Sequence, residues 1–116
     1  MIENRRSRRK RVKQGIEVTD ALTGQLVGHV GNLSADGMLL IANRMVPDNA
    51  LFQFSFSLPD ERGVARRFEI GVHEQWSEPA NIPGQYWAGF RIIDISPEDR
   101  TALVAWVDAL DVHEMA

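Results

Sequence analysis

Phe52-Gln53-Phe54-Ser55-Phe56-Ser57-Leu58 alternates large apolar and small polar side chains without a break. A period of two is the signature of a strand with one buried face, since successive side chains point to opposite sides of a pleated backbone. The chain around this stretch continues in the same mode. Pro59-Asp60-Glu61-Arg62-Gly63 supplies turn residues, and Phe68, Ile70 and Val72 then occupy one face of a long strand. Upstream, Ile16 and Val18 alternate with polar residues, Thr23-Gly24 marks a turn, and Leu26 to Leu33 reads as the return strand of a hairpin. Ser34-Ala35-Asp36-Gly37 is a turn, Met38 to Ile41 resumes as a buried strand, and Pro47-Asp48-Asn49 breaks the chain again. Asn81-Ile82-Pro83-Gly84 makes one more turn before a last strand over Gln85 to Ile95.

Beyond residue 95 the period changes. Ser96-Pro97-Glu98-Asp99 has the form of a helix start, with a capping serine, proline at the first helical position and acids facing the positive end of the helix dipole. Leu103, Trp106, Val107 and Leu110 then fall on one stripe of a helix. Five or six antiparallel strands and one terminal amphipathic helix predict a mainly β fold, a small barrel with the helix packed on it.

Charge is distributed unevenly. Residues 1–13 carry seven Lys/Arg and one Glu, a charge of +6, whereas residues 14–116 carry six Lys/Arg and fifteen Asp/Glu, a charge of −9; together they give the net −3. We therefore expect a flexible basic arm over residues 1–13 and a folded domain over residues 14–112. Such an arm has three fates: a solvated tail, a non-specific polyanion binder, or a lid over a site for one small anion. The 116 residues suffice for one hydrophobic core, and the chain has no cysteine, so neither a disulfide framework nor a cysteine zinc site is expected. Apolar runs such as Met38 to Ala42 are far too short to cross a bilayer, and the basic N-terminus lacks a signal-peptide apolar stretch. A cytoplasmic protein is the expectation.

Two short motifs weigh most for function. Arg5 and Arg9, within Arg5-Arg6-Ser7-Arg8-Arg9-Lys10-Arg11, satisfy an RxxxR spacing, and Asn32-Leu33-Ser34-Ala35-Asp36-Gly37 satisfies [D/N]xSxxG. In this order, in a β-rich chain ending in one helix, they resemble the PilZ domain, a bacterial receptor module for cyclic di-GMP. Trp87-Ala88-Gly89-Phe90-Arg91-Ile92-Ile93-Asp94-Ile95-Ser96 also resembles that family's last strand and helix entry, so the likeness spans roughly residues 5 to 110. The resemblance implies a six-stranded antiparallel barrel with a C-terminal helix, and cyclic di-GMP as ligand.

The residue types suit that ligand, which carries two phosphodiester charges and two guanines. Arginine donates bidentately to phosphate or to a guanine edge and also stacks on a flat base. Arg5 and Arg9 lie on one side of an extended arm, ~13 Å apart at strand rise. The resemblance implies that they clamp guanine and phosphate as the arm wraps over the barrel. Arg6 and Arg8 are additional candidates, and Arg11, directly before Val12, fits the strand boundary better than Arg9. An extra arginine beside the motif would favour an intercalated ligand dimer. Asn32 offers a side-chain amide, Ser34 a hydroxyl in a tight turn, and Gly37 either positive φ or close backbone approach, although the same residues are ordinary turn chemistry. Asn32 stands where many members carry Asp, and it lacks the charge that would pair with the guanine N1 and N2 donors. Trp76 is the candidate stacking residue: it shares parity with Phe68, Ile70 and Val72, which points it inward, and a bulge near Glu74 would reverse it. Trp87 and Trp106 are read as packing residues.

Catalysis finds little support, so an enzyme is not expected. His29, His73 and His113 stand apart, with no HxxxH or HExxH spacing, and there is no glycine-rich phosphate loop. The leading expectation is a receptor that binds cyclic di-GMP through Arg5, Arg6, Arg9, Asn32, Ser34, Gly37 and Trp76, orders its arm, and signals to an unidentified downstream protein. The alternative is an adaptor that binds a motility or pilus protein and no nucleotide. Non-specific nucleic-acid binding by the arm would show a steep salt dependence, and the acidic body argues against it. No specific DNA or RNA, metal, cofactor or membrane insertion is expected.

Overall fold

The aromatic stretch that opens the sequence reading becomes the wall of a closed barrel. A computed structural model describes the backbone of residues 10–11 and 15–115 and the side chains of residues 15–109. Its strands are β1 (Lys10–Arg11), β2 (Glu17–Asp20), β3 (Leu26–Leu33), β4 (Gly37–Ala42), β5 (Leu51–Pro59), β6 (Ala65–Pro79) and β7 (Tyr86–Asp94), followed by helix α1 (Pro97–Met115). All neighbouring strands are antiparallel, in the order β3-β2-β5-β6-β7-β4, and β4 pairs back onto β3. Six strands thus close on themselves. Two-residue β1 is an added strand on β3, with Lys10 opposite Leu33 and Arg11 opposite Asn32.

Alternation decides what fills the barrel. Phe54, Phe56 and Leu58 of β5 and Phe68, Ile70 and Val72 of β6 are all buried, together with Val18, Val30, Leu33, Leu40 and Phe90 from the other strands. Burying each such side chain contributes about 1.5–3 kcal/mol. The Phe54 and Phe90 rings meet edge to face at 5.0 Å, and Phe56 stacks on Phe68 at 5.4 Å. Close strand contact also constrains the walls: at Gly28 an added Cβ would collide with the backbone of Ile41 and Ala42.

The helix starts where its cap residues place it. Ser96 Oγ accepts the Asp99 amide at 3.1 Å, and Ser96 O accepts the Arg100 amide at 2.9 Å. Leu103 and Val107 are buried in the core and Trp106 packs against it, as the stripe predicts; the Leu110 side chain lies outside the described residues. Asp99 reaches back to β6 and pairs with Arg66 at 2.9 Å, while the Arg66 guanidinium lies 4.8 Å from the Phe68 ring centre. The ion pair fixes the first turn of α1 against the barrel, and α1 also approaches β1.

Candidate functional site

The [D/N]xSxxG turn is held by its serine. Ser34 is fully buried between β3 and β4. Its Oγ accepts the Gly37 amide at 3.0 Å and donates to Asp36 Oδ1 at 2.9 Å, while its own amide donates to Gly37 O at 2.9 Å. The Ile92 amide donates to Asp36 O at 2.9 Å, which ties the turn to β7. Ser34 therefore acts inward, on the shape of the turn. The positive-φ glycines among the described residues are Gly24, Gly63 and Gly84, so Gly37 does not owe its place to a left-handed backbone.

Asn32 faces the other way. A register shift between Val30 and Asn32 inserts Gly31, and Leu33 beyond it points into the core with no exposure. Asn32 is consequently half-buried on the outer face of the barrel. From there a single row runs across the sheet: Arg11 of β1 lies opposite Asn32, Asn32 opposite Leu39 of β4, Leu39 opposite Gly89 of β7, and Gly89 opposite Trp76 of β6. Three strand spacings separate Asn32 from Trp76, about 14 Å along the sheet.

Trp76 is on this outer face because β6 bulges. The β6–β7 register shifts between Glu74 and Trp76, so Glu74 remains inside at 2% exposure while Trp76 turns out at 47%. Parity alone pointed the indole inward; the bulge reverses it. The nitrogen-bearing edge of the indole lies against Gly89, where an added Cβ would come within 2.7 Å of Cε2 and closer still to Nε1. Any side chain at position 89 would lift the ring from its seat. Trp106 is a packing residue, but Trp87 is half-buried on the outer face, two residues from Gly89 and opposite Ile41 and Glu78.

One residue that the sequence reading left aside stands in the middle of this surface. Arg91 of β7 is exposed, opposite Gly37 of the motif on one side and His73 on the other. The signal was available, since Arg91 alternates with buried Ala88 and Phe90 and shares parity with Gly89. Arg5, Arg6 and Arg9 lie outside the described residues. The surface thus combines an aromatic shelf, an amide edge and fixed positive charge, a set suited to a flat base joined to a phosphate. Among the described residues no three His, Asp or Glu side chains are grouped to hold a metal, and no helix is long and apolar enough to cross a membrane.

The model of the PilZ domain family matches residues 3–109. No curated protein matches the chain. Among solved structures, the inhibitor of motility MotI/DgrA of Bacillus subtilis aligns with a TM-score of 0.80 and 16% identity, over 97% of this chain and 53% of that one. The chain thus spans about half the length of that protein. The PilZ domain of YcgR from Escherichia coli, solved with cyclic di-GMP, aligns with a TM-score of 0.70 and 15% identity, over 97% of this chain and 95% of that one. At these identities the likeness is one of fold.

Proposed function

The chain belongs to the PilZ domain family, and on that premise we propose that it is a cyclic di-GMP receptor acting on a partner protein rather than an enzyme. The observation that carries this reading is the outer-face row Asn32–Leu39–Gly89–Trp76, which runs about 14 Å across the sheet, with Arg11 paired opposite Asn32 in the backbone ladder. In this reading one guanine stacks on the Trp76 indole, and Asn32 meets the edge of the other. Arg5 and Arg9, with Arg6 beside them, clamp phosphate and base from the arm over residues 1–13. Ser34 and Gly37 contribute by fixing the turn that presents Asn32. Backbone pairing of Lys10–Arg11 with Leu33 and Asn32 supports the arm's approach from this side.

The arm is the signal. Binding neutralises its positive charge against the two phosphodiesters and orders it over the shelf, creating a surface that a partner can read. Titrating cyclic di-GMP while following tryptophan emission tests the clamp. Arg9→Ala is expected to lose most of the binding; an unchanged Kd would remove Arg9 from the site. Failure of the wild-type chain to respond at all would favour the nucleotide-independent adaptor.

A further inference from the structure

The inward residue at the Trp76 bulge is a carboxylate in an otherwise apolar wall. Glu74 follows Phe68, Ile70 and Val72 on the inner face of β6 and is 2% exposed. Burying a carboxylate is costly unless its oxygens are satisfied by hydrogen bonds. Here Oε1 accepts the Asn49 amide at 2.9 Å and Oε2 accepts the Ser77 hydroxyl at 2.6 Å. The Glu74 amide also donates to Ala50 O at 2.9 Å. One side chain therefore joins the turn before β5, where Asn49 adopts φ +60°, to the far side of the bulge. Ser77 lies just beyond the place where the β6–β7 register slips, and Asn49 approaches from the turn before β5.

We propose that Glu74 is a positioning residue for the ligand shelf: its carboxylate locks the bulge, and the locked bulge holds the Trp76 indole outward on its Gly89 seat. Without the lock nothing in the alternation of β6 directs Trp76 outward, because Phe68, Ile70, Val72 and Trp76 share one parity. The Ser77 bond closes over the inserted residue Gln75 and the Asn49 bond holds Glu74 to the turn before β5, so the ring direction depends on Glu74, which is screened from solvent by its own burial. The stacking part of this inference rests on the proposed cyclic di-GMP site; the positioning part does not.

The test separates them. The chain has three tryptophans, so Trp87→Phe with Trp106→Phe leaves Trp76 as the sole tryptophan, excited selectively over Tyr86. In that background, without ligand, Glu74→Gln and the milder Ser77→Ala are compared by acrylamide quenching and emission maximum. Each variant is first checked for a cooperative melt. A changed Trp76 accessibility in either folded variant supports the lock. Unchanged quenching and emission overturn it, whether or not the protein binds nucleotide. Ser77→Ala alone decides the matter if Glu74→Gln fails to fold. Cyclic di-GMP affinity then tests the stacking part in a double-mutant cycle. Glu74→Gln should weaken binding about tenfold beside Trp76 and leave it unchanged in a Trp76→Ala chain. An equal loss in both backgrounds would show that Glu74 acts elsewhere than through the indole.

Discussion

Trp76 shows how one residue's role turns on its neighbours. It is 47% exposed and its indole rests against Gly89. Base stacking on such a ring contributes roughly 1–3 kcal/mol, so Trp76→Ala should weaken cyclic di-GMP binding about 5- to 150-fold. The same substitution should shift folding stability by less than about 1 kcal/mol, since it removes a surface side chain. Equilibrium binding and a denaturant melt of the same variant give both numbers. A large stability loss with unchanged affinity would make Trp76 a structural residue. Ser34 presents the opposite case. Its hydroxyl is fully buried, and Ser34→Ala strands the Gly37 amide and the Asp36 carboxylate, at a cost of about 1–3 kcal/mol in a urea melt. Cyclic di-GMP affinity should fall with it through the shape of the turn, since the hydroxyl is buried and bonded inward.

At the level of elements, the strands were legible wherever alternation ran uninterrupted. Phe54, Phe56 and Leu58, like Phe68, Ile70 and Val72, are buried as their period requires. The helix start at Ser96 was legible from its cap chemistry, and the Ser96 hydroxyl makes the capping bond. What sequence alone left open are the register slips at Gly31 and Gln75, because a bulge changes which neighbour faces which without altering local composition. Those two slips turn Asn32 and Trp76 outward, so the shelf became visible only with the pairing. The β5–β6 turn supplies an element-scale prediction. Asp60 Oδ1 accepts the Val64 amide at 2.9 Å and the Arg62 amide at 2.8 Å. The Val64 amide foremost, then that of Arg62, holds this carboxyl below the usual carboxylate range against a small opposing effect of burial. A lowered folded value means stabilisation that is present above the unfolded value of about 3.9 and is lost as pH falls through the folded one. The stability gap between wild type and Asp60→Ala should therefore be constant near neutrality and close on acidification. A gap that stayed constant to low pH would remove Asp60 from that role.

At the scale of the whole molecule, the barrel carries the proposed site on the outer face of β3, β4, β7 and β6. Six of the described strands close into the barrel, β1 adds to β3, and that junction lies beside Asn32. Residues 14–116 carry a charge of −9 and residues 1–13 a charge of +6, so the proposed ligand brings its own negative charge to the basic segment. The measurement that tests this most directly is a calorimetric titration with cyclic di-GMP at near-physiological salt, with GTP and a linear dinucleotide as controls. The account predicts saturable heat for the cyclic ligand alone, at one or two molecules per chain. No heat at high protein concentration would contradict it and leave a PilZ barrel whose arm serves a protein partner.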